Sequence, residues 1–180
     1  MCYTAGLNSD EYGVMTVKIA VIQFPGSNCE REAMMAVKRV GMEAKEFLWN
    51  HQSSELAEYD GYIIVGGFSY EDRSRAGIIA ALDSIMPVLQ QQSALGKPLL
   101  GICNGAQVLV ETGLVPSVEG YKVAMAIAEN RRVDETGQVL GTGYYNCWTP
   151  LKRSSQAKRN AFNRFIGSDD IIIAPIAHAE

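Results

Sequence analysis

Cys103 is the residue whose surroundings most resemble a nucleophile site. Gly101-Ile102-Cys103-Asn104-Gly105 closes an apolar run that starts near Lys97 and opens a helical pattern. Small residues two positions either side of a nucleophile let a helix begin almost on top of the preceding strand. This is the G-x-S-x-G elbow with a thiol in place of the hydroxyl. A thiol at a helix N-terminus faces unpaired N–H groups, a setting that favours the reactive thiolate form. The backbone N–H of Asn104, the next residue, is placed to help hold an oxyanion. Taken alone, the pattern fits a small buried thiol at a strand end equally well. Cys29 also sits at a helix start but lacks the paired glycines, Cys147 lies within a strand pattern, and Cys2 is in the N-terminal segment.

A thiol that attacks an acyl carbon needs a base able to protonate the leaving amine later, which is imidazole chemistry. The chain has two histidines. His51 lies in the polar segment Trp49-Asn50-His51-Gln52-Ser53, which reads as a surface loop. His178 ends the apolar run Ile171 to Ala177, read as a buried strand, and Glu180 follows two residues on. Residues i and i+2 of an extended chain point to the same side, so the carboxylate can reach the imidazole and fix its tautomer. His-x-Glu is a weak pattern by itself, and its position after a strand is what raises it. Gly66-Gly67-Phe68-Ser69-Tyr70 follows another apolar run, Gly61 to Val65. Paired glycines there allow a backbone N–H to turn toward the thiol and complete an oxyanion hole with Asn104, although a flexible turn explains them as well.

The elements that must position these groups can be read from apolar periodicity. Val17 to Gln23 predicts a buried strand with an exit loop at Phe24 to Asn28. Cys29 to Val40 predicts a helix with Ser27 or Asn28 as N-cap. Strands are expected at Ala44 to Trp49, Gly61 to Val65 and Lys97 to Cys103. A long helical stretch from Arg73 to Ser93 is interrupted by Pro87, and a helix runs from Asn104 to Gly113. Strands alternating with helices at this spacing imply a mostly parallel sheet covered on both faces, with its site at the carboxyl edge. Beyond Val115 the pattern turns antiparallel, with strands at Tyr121 to Ala128 and Gly143 to Trp148 and a Gly-containing turn at Asp134 to Gly137. A basic connection, Lys152 to Arg164, leads to the last apolar run. Residues 1–16 fit no element and are read as a disordered extension, which leaves 17–180 as a single domain.

Composition narrows the classes. With 47% hydrophobic and 20% charged residues the chain is of ordinary globular type, and its net charge of −4 gives no electrostatic reason to expect nucleic acid or an anionic membrane. No apolar run reaches the ~18–20 residues that span a bilayer. Four scattered cysteines without a CxxC pair argue against a zinc cage or disulfide framework, and a reducing cytoplasm is the natural setting.

In combination, Gly66-Gly67-Phe68-Ser69-Tyr70-Glu71-Asp72, Gly101 to Gln107 and Pro175 to Glu180 resemble the class I, triad-type glutamine amidotransferases. More narrowly they resemble the glutaminase subunits of phosphoribosylformylglycinamidine synthases, whose first strand and loop are similar to Lys18 to Cys29. The likeness runs from about residue 17 to the end. It implies a flavodoxin-like three-layer α/β sandwich and L-glutamine as substrate. Cys103 becomes the thioester-forming nucleophile, His178 the base and Glu180 its orienter. Gly67 or Phe68, with Asn104, become the backbone oxyanion donors, and Gln107 a wall of the glutamine pocket. The implied partners are a synthetase subunit, which uses ATP and Mg to aminate formylglycinamide ribonucleotide, and a small bridging subunit; no cofactor is implied in this chain.

Two departures stand out. Glu71 occupies a loop position where the family most often has Gly, with Arg73 and Arg75 beside it, read as a partner contact or a solvated face. The family also continues past the triad Glu, so the sequence is read as a C-terminally truncated copy. Two other readings use the same residues: a stand-alone Cys hydrolase on the same scaffold, and a catalytically silent binding subunit. The first usually carries its base within a few tens of residues after the nucleophile, and no His lies between Cys103 and His178.

Overall fold

The alternation of apolar side chains along β1 (Lys18–Gln23) divides the core in two. Successive strand residues point to opposite faces. Ala20 and Ile22 therefore join one cluster, while Ile19 and Val21 join another. The computed structural model describes residues 16–155 and 160–179. The readings made for residues 1–15 and for Glu180 lie outside them. In chain order come α1 (Glu30–Arg39), β2 (Glu43–Leu48), β3 (Gly61–Ile64), α2 (Ile78–Ala81), α3 (Met86–Ala94), β4 (Leu99–Gly101) and α4 (Asn104–Glu111). The four strands form one parallel sheet in the order β2-β1-β3-β4.

One face of the sheet packs Ala20, Ile22, Phe47, Tyr62 and Ile64 against Ala80, Met86, Leu89, Val108 and Leu109 from α2, α3 and α4. The other packs Ile19, Val21, Ala44 and Ile63 against Ala33, Met34 and Val37 of α1. Helices thus cover both faces, and the chain is a three-layer α/β sandwich. No helix among the described residues is long and apolar enough to cross a membrane.

Local expectations fail in instructive ways. Pro87 begins α3 instead of interrupting a longer helix, the position where its missing N–H is harmless. Neither Ser27 nor Asn28 caps α1. Cys29 holds that place with φ 67°, while Asn28 Oδ1 accepts from the Cys29 N–H and Ser27 Oγ from the Phe24 N–H. The expected strand at Tyr121 to Ala128 does not form; β5 (Arg131–Val133) and β6 (Val139–Thr142) pair instead, across the expected turn, where Gly137 takes φ 86°.

β7 (Tyr145–Lys152) and β8 (Ile171–His178) make a separate antiparallel pair. The reading of β8 as a buried strand does not hold, because Ile171, Ile172 and Ile173 are exposed. Among the described residues it pairs with β7 alone, and the buried apolar side chains all fall between Ile19 and Leu114. An apolar run shows that a strand is favourable there, but not what covers its faces.

Candidate active site

At the elbow the chain passes from β4 to α4 within two residues, and Cys103 takes φ 54°, ψ −116°. A non-glycine residue with positive φ is held there by its surroundings. The flanking glycines show what does so. A Cβ on Gly101 would lie 2.5 Å from the Gly105 carbonyl oxygen, and one on Gly105 would overlap the Ile64 carbonyl oxygen in β3. The spacing therefore permits α4 to start against the sheet and leaves the Cys103 side chain exposed at the carboxyl edge.

The loop after β3 lies against the thiol. A Cβ on Gly66 would sit 3.2 Å from Cys103 Cβ and 3.9 Å from its Sγ. The loop after β1 braces this segment: the Asn28 N–H donates to the Gly66 oxygen at 2.7 Å and the Phe68 N–H to the Gly26 oxygen at 2.9 Å. Phe68 N–H is thereby engaged and not directed at the thiol. Gly67, at φ 124°, has its own N–H unbonded among the described residues, as has Asn104. Of the two candidates for second oxyanion donor, Gly67 is the one with a donor to offer.

Asn104 is buried, and its side chain does more than sequence reasoning assigned to it. Oδ1 accepts from the Ser69 N–H at 3.0 Å, and Nδ2 donates to Asp72 Oδ1 at 3.0 Å and to Gln107 Oε1 at 2.9 Å. Gln107 is thus tied to the elbow. Arg75, expected to face a partner or solvent, makes a two-pronged ion pair with Glu111, whose side chain is 6% exposed; one contact measures 2.7 Å and the other is shorter. Arg73 pairs with Glu71 in the open. No pattern in the sequence marks Glu111, because a carboxylate in the last turn of a helix opposes the helix dipole.

His178 lines a cleft that Cys103 does not line. It ends β8 opposite Tyr145 and shares that cleft, of about 430 Å³, with Arg131, Arg132, Tyr144 and Tyr145. Asn130 Nδ2 is 3.0 Å from its Nδ1 and donates to its carbonyl oxygen at 2.7 Å. No hydrogen bond joins His178 to Cys103, and β7–β8 pairs with no strand of the four-stranded sheet. The structure groups Cys103, Gly67, Asn104 and Gln107 at the elbow, and His178 is held by Asn130. Sequence reasoning missed Asn130, and nothing in Ala-Glu-Asn-Arg-Arg signals it. His51 is exposed on a turn, edge-on to Phe47, and Cys29 is exposed. Among the described residues no three His, Cys, Asp or Glu side chains converge as a metal site would need.

Comparison with known proteins bears on the family and the fold. Residues 16–133 match the CobB/CobQ-like glutamine amidotransferase domain. The phosphoribosylformylglycinamidine synthase subunit PurQ of Methanothrix thermoacetophila is 46% identical over 164 residues, which are 91% of this chain and 62% of that protein. The subunit of the same name from Methanothermobacter thermautotrophicus is 37% identical over 165 residues, 91% of this chain and 66% of its own. This chain therefore spans a little under two thirds of the length of these relatives. A structure of PurLQS from Thermotoga maritima superposes with a TM-score of 0.67 at 28% identity, covering 92% of this chain and 68% of that one. The chain belongs to the CobB/CobQ-like glutamine amidotransferase family.

Proposed function

We propose that this chain is the glutaminase component of a phosphoribosylformylglycinamidine synthase. The observation that carries the reading is the elbow itself: Cys103 exposed at φ 54° between Gly101 and Gly105, with the unbonded N–H groups of Gly67 and Asn104 in the two segments beside it. The names of the relatives from Methanothrix and Methanothermobacter support the pathway.

In this mechanism the Cys103 thiolate attacks the side-chain amide carbon of L-glutamine, and the C=O π electrons move to the oxygen. The Gly67 and Asn104 N–H groups hold that oxyanion, the largest electrostatic contribution in acyl transfer. Collapse expels ammonia, which takes its proton from His178, and leaves a γ-glutamyl thioester. Water activated by His178 then releases glutamate and restores the thiol. Glu180 accepts the Nδ1 proton of His178, and Gln107 lines the glutamine site. For this the His178 ring must come within hydrogen-bond reach of Cys103, whereas here it is held by Asn130. This chain uses no cofactor. A cytoplasmic synthetase subunit, bridged by a small third subunit, takes the ammonia and uses ATP and Mg.

The test is labelling with a diazoketone analogue of glutamine, with and without the synthetase subunit. One equivalent should attach to Cys103 and none to the Cys103→Ala protein. Glutamine should also replace ammonia as nitrogen donor when the chain is added to the synthetase. Labelling at Cys29, or no labelling in either setting, would sink the reading in favour of a silent subunit.

A further inference from the structure

We infer that the Asn104 side chain is a positioning residue that ties the Gly66–Asp72 loop to the nucleophile elbow, so that the Gly67 and Asn104 N–H groups stay aimed at one point. This rests on the glutaminase reading and adds to it a residue whose side chain touches no reacting atom.

The loop cannot hold its shape unaided. Tyr70, Glu71 and Asp72 have φ of 54°, 60° and 49°, three consecutive side-chain-bearing residues in the left-handed region. Such a run persists only where its surroundings over-determine it. Besides the bonds of Gly66 and Phe68 to the loop after β1, outside contacts hold its second half. The Tyr70 N–H donates to the Pro25 oxygen at 2.7 Å, the Tyr70 hydroxyl donates to Asp83 at 2.9 Å, and Asn104 grips Ser69 and Asp72. Of these, only Asn104 joins the loop to the elbow. At Ser69 the link is through the backbone N–H, since Ser69 Oγ is buried without a partner among the described residues. Gly67 is two residues upstream, between the Gly66 and Phe68 bonds to the loop after β1; a loop released at Ser69 and Asp72 keeps those bonds but loses the one that registers the Gly67 N–H against the elbow.

Asparagine suits the place chemically. Ser69 N–H can only donate and the Asp72 carboxylate can only accept, so the connecting side chain needs one acceptor and one donor at the same short reach. Aspartate would still accept from Ser69 but would face Asp72 with like charge. Exchanging the two side chains restores the complementarity. The carboxylate introduced by Asn104→Asp then accepts both from the Ser69 N–H and from the amide introduced by Asp72→Asn.

The experiment compares Asn104→Asp, Asp72→Asn and the double variant in the full chain. Three quantities are measured: acylation of Cys103 by glutamate γ-methyl ester, which needs the oxyanion hole; the high-pH plateau rate of iodoacetamide alkylation, which does not; and hydrogen exchange at the Ser69 amide. Asn104→Asp should lose about 10²-fold in acylation, the size of losing one oxyanion donor. Plateau alkylation should stay within about a factor of two, and Ser69 exchange should accelerate. The double variant should regain about tenfold of the acylation and the exchange protection. Equal acylation in wild type and Asn104→Asp, or a double variant no better than the single, overturns the inference. If the wild type takes no acyl group at all, the glutaminase reading fails by itself. Ser69 exchange then decides the tie, and an unchanged rate in Asn104→Asp overturns it.

Discussion

Asn130 holds His178 by two hydrogen bonds from one amide nitrogen, 3.0 Å to Nδ1 and 2.7 Å to the carbonyl oxygen. The carbonyl oxygen only accepts, so the atom facing it must be the amide nitrogen, and Nδ1 must then accept as well. In this arrangement the ring proton is on Nε2. A triad base needs the opposite, with Nδ1–H donated to a carboxylate and the Nε2 lone pair toward the nucleophile. The expected outcome is an Nε2–H tautomer for His178 in two-bond ¹⁵N–¹H spectra of the isolated chain, converted toward Nδ1–H by Asn130→Asp. An Nδ1–H ring in the wild type would refute the assignment.

Glu71 sits at φ 60° and ψ 24° in an exposed loop. Left-handed backbone costs a residue with a Cβ about 1–2 kcal/mol, and the ion pair to Arg73, both of whose side chains are more than 70% exposed, returns at most about 1 kcal/mol. Glu71→Gly should therefore raise stability by about 0.5–1 kcal/mol, while Glu71→Ala lowers it or leaves it unchanged. Urea midpoints of the two variants check the sign.

Glycines with the same tolerance on paper should respond differently. A Cβ at Gly105 overlaps the β3 backbone, which cannot move without the sheet, whereas one at Gly41 meets nothing within 4 Å and suffers only from φ 80°. Gly105→Ala should cost about 3 kcal/mol or more, and Gly41→Ala about 1 kcal/mol. Thermal and urea denaturation of the pair would show whether overlap or backbone strain dominates.

Arg75 neutralises the nearly buried Glu111 at the end of α4. The Glu111 bond and charge hold the Arg75 guanidinium pKa above its ordinary value. Removing one partner strands the other, so Arg75→Met should lower the urea midpoint, though by less than breaking a fully buried pair would, because Arg75 is half exposed. Adding Glu111→Met should return most of that loss. A double variant worse than the single would show that the pair stabilises in its own right.

Alkaline pH should loosen the fold through tyrosine. Burial, and then the charge of Asp60, pushes Tyr62 up to about 12. Burial and then the hydrogen bond to Asp83 do the same for Tyr70. The unfolded chain titrates near 10, so the folded state binds these protons more tightly. Their stabilisation is complete below about pH 10 and is lost as pH rises toward about 12. Denaturation midpoints across that window should fall, and Tyr70→Phe should make the fall shallower.

Periodicity was enough to place β1, α1, β2, β3, β4 and α4, because these elements bury apolar residues at strand or helix spacing on a sheet covered from both sides. The elbow was also legible, since Gly101 and Gly105 are demanded by contacts within a few residues of Cys103 and by the adjacent strand. The amino-acid order alone thus specifies a parallel α/β sandwich with Cys103 at its carboxyl edge. Packing between segments sets which backbone N–H beside the thiol is free among the described residues, because Phe68 is engaged by Gly26 and Gly67 is not. The same packing makes Asn104 grip Ser69 and Asp72, turns Arg75 inward to Glu111 and rests His178 on Asn130. Those are relationships between segments far apart along the chain, set by how covered layers and uncovered strands come to lie together, and no local pattern of residue types encodes them.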